Sequence, residues 1–84
     1  APAPGRTQLL MRERALISRL RDLREDADLT QTQVAAVLHM SQTGYSKYET
    51  GENDIPTQVL IRLARFYGTS TDYLLGLTDR RNPL

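Results

Sequence analysis

The chain has no cysteine, no tryptophan, one phenylalanine, one histidine and one lysine, Lys47, among its 84 residues. Without cysteine it can form neither disulfides nor thiolate metal sites, which excludes zinc fingers. The lone histidine, His39, would need several oxygen partners to hold a metal, and the sequence places none around it. No metal or other cofactor is expected. A cysteine-free chain also suits a reducing compartment. No apolar run approaches the roughly 18 residues that span a bilayer. The opening stretch, APAPGRTQLLMRERA, lacks the continuous apolar segment of a secretion signal. A cytoplasmic chain with no membrane association is therefore expected. There is no nucleophile–base–orienter set and no phosphate-cradling glycine loop, so an enzyme is not expected either.

The size suits one domain with one modest core, and 39% hydrophobic residues suffice for a compact helical bundle. A net charge of +1 does not by itself argue for a polyanionic partner. Arginines gather at 12, 14, 19, 21 and 24 and acids at 25, 26 and 28, a pattern that also fits a solvated helix with paired charges. Any positive field must be local.

Residues 1–11, with Pro2, Pro4 and Gly5, read as a flexible leader or as a backward extension of helix 1. Thr7 could cap such an extension, because Leu9 continues the same apolar stripe. The periodicity predicts a helix from about Arg12 to Asp26, with Leu16, Leu20, Leu23 and Ala27 on one buried stripe and Ile17 beside it. Acids at 25 and 26 oppose the helix dipole, so fraying is expected there. Further on, Pro56 is suited to the first position of a helix that buries Val59, Leu60, Leu63, Ala64 and Tyr67 and stops at Gly68. Ser70 should cap a last helix, 71–75, with Tyr73 and Leu74 inward and Gly76 ending it. The tail from Leu77 is expected to be loosely held unless it joins a dimer contact. With no strand candidate, the sum is an all-α, five-helix bundle over residues 12–76.

The most informative stretch is TQTQVAAVLHMSQTGYSKYET, residues 30–50. Thr30 with Gln33 fits a capping box, and Ser41 is a second N-cap. Val34, Ala35 and Leu38 mark one buried face, and Tyr45 with Tyr48 marks another. Two helices this short must lie on a larger bundle and turn their polar faces outward. The outward face comprises Gln31, Gln42, Thr43, Ser46, Lys47 and Thr50, a set of amides, hydroxyls and one cation. It is poorly suited to catalysis and well suited to reading hydrogen-bond patterns on DNA. At the turn, His39 occupies a left-handed position that usually holds glycine. It is either a solvent-facing turn residue or a phosphate contact. Gly44 inside the second helix admits two readings: close approach of backbone to DNA, or no constraint at all.

Leu29-Thr30-Gln31, Val34-Ala35, Leu38, Met40-Ser41-Gln42, Tyr45-Ser46, Tyr48-Glu49, Gly51, Pro56, Leu63-Ala64 and the closing Thr71-Asp72-Tyr73-Leu74-Leu75-Gly76 resemble the lambda-repressor-like, Cro/C1 (XRE-type) helix-turn-helix family. The likeness runs from Leu20 to Gly76, and His39 is its main departure. It implies a sequence-specific transcriptional regulator, a repressor by expectation, with the helix opening at Gln42 in the major groove. By the same resemblance Gln42, Thr43, Ser46 and Lys47 reach bases or the groove edge, while Gln31, Thr30 and Thr50 serve the phosphates. Gln31 also braces Gln42. Arg24 and Glu49 match a partly buried structural ion pair. The implied partner is double-stranded operator DNA with an inverted repeat, bound by a homodimer. The competing expectation is an antitoxin or adaptor that uses the same bundle to hold a protein partner, with Leu9, Leu10, Leu77 and Leu84 ordered against it.

Overall fold

A computed structural model describes the backbone from Pro4 to Asn82 and the side chains from Ala15 onward. Five helices follow in order: α1 (Pro4–Asp26), α2 (Gln31–Val37), α3 (Gln42–Thr50), α4 (Thr57–Tyr67) and α5 (Thr71–Leu74), with no strand among the described residues. Helix α1 begins at Pro4, so of the two readings of the first residues the backward extension of helix 1 applies from there on. Thr7 lies inside the helix rather than capping it. Proline is tolerated in a first turn, and no second proline interrupts the run that follows. The expected contributions of Leu9, Leu10 and Leu84 lie outside the described side chains.

The core joins all five helices. Leu20 and Leu23 of α1, Val34 and Ala35 of α2, Leu38, Tyr45 of α3, Leu63 and Ala64 of α4 and Leu74 of α5 are all buried. Leu16, Leu29, Met40, Tyr48, Val59, Leu60, Tyr67 and Tyr73 are partly buried and pack around them. Each fully buried leucine contributes about 1.5–3 kcal/mol relative to exposure, which is how helices as short as α2 and α5 are held. Ala27, expected on the stripe, is exposed because α1 has ended at Asp26 and the chain is already turning. Pro56 is the residue before α4 rather than its first, with extended ψ of 147°.

Four helix ends use one device, a residue in the left-handed region followed by a six-residue backbone closure. At α4 and α5 that residue is glycine: Gly68 at φ 66° and Gly76 at φ 77°. At α1 and α2 it is Asp28 at φ 56° and His39 at φ 57°. Leu29 N donates to Arg24 O and Met40 N to Ala35 O, both at 3.0 Å. His39 thus takes the geometry its position required, and Asp28 is a second case that the sequence reading passed over.

The tail is held, contrary to expectation. Arg19 donates to Tyr73 O, to Thr78 O at 2.8 Å and to Asp79 Oδ1 at 2.9 Å. Its guanidinium also lies 4.1 Å from the centre of the Tyr73 ring. Arg81 pairs with Asp26 at 2.7 Å, and buried Thr69 donates to Arg81 O.

Candidate nucleic-acid interface

The interface candidate is built from α2, α3 and the turn between them. Thr30 Oγ1 accepts from Gln33 N at 3.1 Å while Gln33 Oε1 accepts from Thr30 N at 2.8 Å, so the expected capping box is complete. Ser41 Oγ accepts from Gly44 N at 3.1 Å and starts α3, which Gly51 closes at φ 81°. The left-handed backbone favours glycine there, and a Cβ on Gly51 would stand 2.6 Å from Ile17 Cδ1, so that methyl would have to shift. At Gly44 a Cβ would meet Met40 Cε at 3.1 Å and Ser41 Oγ at 3.2 Å. That crowding is internal to the motif: a side chain there would have to displace Met40 Cε and the Ser41 cap by a few tenths of an ångström.

Helix α3 has two sides. Tyr45 and Glu49 are buried against the bundle, and Gln42, Thr43, Lys47 and Thr50 are exposed. Ser46, expected among the outward residues, is half-buried. On α2, Gln31 is half-buried while Thr30 is exposed. Thr50 Oγ1 donates to Lys47 O at 3.3 Å and lies 3.4 Å from Glu52 Oε1. The neighbouring carboxylate makes Thr50 a poorer phosphate ligand than its position suggests.

Beneath this surface lies a connected polar chain. Arg24 grips Glu49 with both arms, Nε to Oε2 at 2.7 Å and Nη2 to Oε1 at 3.0 Å, and its Nη1 donates to Leu29 O at 3.0 Å. Gln31 Nε2 donates to Glu49 Oε1 at 3.2 Å, and Gln42 Nε2 donates to Gln31 Oε1 at 2.6 Å. Arg21 stands farther off, 4.0 Å from Glu49 Oε1. Burial alone would raise the Glu49 carboxyl, but the hydrogen bonds from Arg24 and Gln31 outweigh it and hold the group below its ordinary range. Arg24 is correspondingly raised, first of all by its bond to Glu49. The phenolic oxygens of Tyr45 and Tyr67 are buried without a hydrogen-bond partner among the described residues. Burial pushes both phenols up, with the Glu49 charge adding to the rise, and Tyr67 reaches about 12.

The expected ion pair is thus in place, and Gln31 and Gln42 are brought together. Lys47 and Thr43 stay free on the exposed side. Two neighbouring features escaped the sequence reading: the closeness of Glu52 to Thr50 and the crowding around Gly44. The first could have been anticipated from the Thr-x-Glu spacing, whereas the second requires coordinates.

A short helix set at a tight turn on another, with caps at both starts and a polar outer side, defines the helix-turn-helix class. Residues 15–75 match the family model of the helix-turn-helix domain, and the chain belongs to that family. The Cro/C1-type resemblance of residues 20–76 falls within this match except for Gly76 at its end. The uncharacterized HTH-type transcriptional regulator YobD of Bacillus subtilis is 42% identical over 65 residues, 77% of this chain and 58% of that protein. ImmR, an HTH-type transcriptional regulator of the same organism, is 39% identical over 62 residues, 74% of this chain and 49% of ImmR. The cryptic phage CTXphi transcriptional repressor RstR of Vibrio cholerae is 37% identical over 51 residues, 61% of this chain and 46% of RstR. The chain spans about half the length of these curated relatives. No solved structure matches it significantly. No described helix is long and apolar enough to cross a membrane.

Proposed function

We propose that this domain is a sequence-specific DNA-binding transcriptional regulator, a repressor, that seats α3 in the major groove of an inverted-repeat operator. The observation that carries the reading is the division of α3: Tyr45 and Glu49 anchor one side while Gln42, Thr43 and Lys47 stand exposed on the other. Gln42 in the first turn reads the edge of an adenine, Thr43 offers a hydroxyl and a methyl, and Lys47 reaches a guanine or a phosphate. Ser46, being half-buried, serves the groove edge. Thr30, Gln31 and, more weakly, Thr50 serve phosphates and so fix orientation rather than sequence.

A single domain of this size touches few base pairs. A homodimer on half-sites about 34–36 Å apart supplies the missing specificity. With a net charge of +1, attraction to DNA rests on local groups rather than on an overall field. RstR, named a transcriptional repressor, supports repression over activation.

Selection of bound fragments from random duplex DNA, followed by a salt titration, tests the reading. A regulator of this kind enriches a two-fold symmetric sequence, and its affinity falls linearly with salt on logarithmic axes. Gln42→Ala relaxes the preference at one base pair per half-site, and Lys47→Ala reduces the salt slope. If no sequence outcompetes random duplex, the adaptor or antitoxin reading replaces this one. The exposed Phe66 and Leu77 would then be the first surface to examine.

A further inference from the structure

We infer that Glu49, which is buried and out of reach of DNA, is a specificity-determining positioning residue that sets the polarity of the Gln42 amide through Gln31. The inference rests on the reading of Gln42 as a reader of adenine and adds what fixes the direction of its amide. A glutamine amide can present its oxygen or its nitrogen in either direction, and shape alone does not decide between them. Here the chemistry decides. An ionised carboxylate only accepts hydrogen bonds, so the Gln31 group 3.2 Å from Glu49 Oε1 must be its Nε2. Gln31 Oε1 then faces Gln42 across 2.6 Å, and the Gln42 group there must donate. Gln42 has spent one N–H on Gln31 and keeps its carbonyl oxygen and a second N–H for the groove.

That remaining pair is one acceptor and one donor. Adenine offers the complement, a donor at N6 and an acceptor at N7, whereas guanine offers acceptors at both O6 and N7. To serve guanine, Gln42 would have to turn both hydrogens outward and accept from Gln31. Gln31 would then direct its own oxygen at Glu49. Two acceptors cannot face each other there without losing a bond to a charged group. Arg24 keeps the carboxylate ionised and in place with two bonds of 2.7 and 3.0 Å. The buried ion pair therefore has a second role: its free acceptor lobe is the fixed end of a relay that runs Glu49, Gln31, Gln42 and ends at the groove.

The test uses an operator obtained by selection from random duplex DNA and the base pair whose preference Gln42→Ala erases. Binding is measured with adenine and with guanine at that position, for the wild type and for Gln31→Leu and Glu49→Gln. Gln31→Leu cuts the relay and leaves the ion pair intact. Glu49→Gln substitutes a group that can donate as well as accept. The wild type should prefer adenine within the range of about 5- to 150-fold that a bidentate pair supplies. In both variants the adenine-to-guanine ratio should fall by about tenfold, the lower end for a bond to a charged group. Much of that change should come from tighter binding of the guanine site. A merely structural role would weaken both sites alike and leave the ratio alone. If Gln42→Ala erases adenine preference but Gln31→Leu keeps the wild-type ratio, the relay is wrong and the base reading stands. A wild-type preference for guanine overturns the adenine reading and the relay with it. If Gln42→Ala alters no base preference, the reading beneath it fails first. Should Glu49→Gln not fold, the Arg24→Met/Glu49→Leu double variant takes its place, and a wild-type adenine-to-guanine ratio in it overturns the role of Glu49.

Discussion

Removing Arg24 should damage this domain more than removing Arg24 and Glu49 together, and the damage should shrink in acid. In the wild type Glu49 is fully enclosed, and two of the hydrogen bonds it accepts come from Arg24. Arg24→Met deletes both and leaves a buried carboxylate with Gln31 at 3.2 Å and Arg21 at 4.0 Å. Stripping one partner from such a pair costs about 3–5 kcal/mol, and the remaining Gln31 bond and nearby Arg21 charge place this case near the lower bound. For a chain of this size that lowers Tm by more than about 10 °C. Glu49→Leu costs less, about 1–3 kcal/mol, because Arg24 retains Leu29 O and some access to water. The double variant replaces the charges with apolar bulk and should lie within about 1 kcal/mol of the wild type. The coupling in a double-mutant cycle is then at least about 3 kcal/mol, readable by urea unfolding. Acid supplies an independent check with opposite signs. In the wild type the Glu49 carboxyl is held low, so the unfolded chain binds the proton more readily, and stability falls as pH drops below the ordinary value of 4.5. In Arg24→Met burial dominates and raises that carboxyl above the ordinary value, so the folded chain takes the proton first. The Glu49 contribution to its stability should therefore rise as pH falls through that raised value to the ordinary 4.5, and level off below it. Additive single variants, or parallel pH profiles, would refute the argument.

The caps and turns yield three shorter expectations. Ser41→Ala and Thr30→Ala should each lower stability by about 1 kcal/mol in urea unfolding, since each removes a bond to an otherwise orphaned N–H. Gly51→Ala should cost clearly more than Gly68→Ala: both sit at positive φ, but only Gly51 would push a Cβ to 2.6 Å from Ile17, while Gly68 faces open space. Equal losses in thermal melts would show that backbone strain, about 1–2 kcal/mol at either site, is the whole effect. Arg19→Ala should release the tail, seen as faster amide hydrogen exchange over 77–82 with the α2 and α3 amides unchanged, because Arg19 holds Thr78 O, Asp79 and the Tyr73 ring.

What could be read from the sequence was local. The capping box at Thr30 depends on a partner three residues away, and the leucines of α1 recur with the helix period, so both are visible in a short window. His39 was legible for the same reason, since the chain must reverse there whatever residue occupies the position. The Arg24–Glu49 pair spans 25 residues and was reachable only through family resemblance. Contacts made by Arg19 and Arg81 across more than 50 residues had no signal at all, because a paired surface arginine looks the same in sequence as a solvated one. The start of α1 stayed open in the sequence because Pro4 and Gly5 fit a leader as well as the first turn of a helix. Ser46 sits beside the exposed residues in helical order but is half-buried, a matter of how far α3 rolls on the bundle rather than of periodicity.

The ion pair raises a question that stability cannot answer. A buried arginine–glutamate pair seldom outperforms apolar residues of equal volume, and the near-neutral double variant expected above says as much. Its position supplies the explanation. Leu20, Leu23, Val34, Tyr45, Leu63 and Leu74 already provide a fully buried apolar core. Glu49 lies at its edge, on the inward side of the one helix whose outward side carries Gln42, Thr43 and Lys47. An apolar residue there would hold α3 equally well but would leave Gln31, and through it Gln42, free to rotate. A carboxylate fixed by two bonds from α1 gives the surface amides one direction. On this reasoning the pair contributes little to the folding free energy and a great deal to the uniqueness of the exposed hydrogen-bond pattern. The two should separate experimentally: the Arg24→Met/Glu49→Leu double variant keeps its melting temperature near that of the wild type while its adenine-to-guanine ratio collapses toward that of Gln31→Leu.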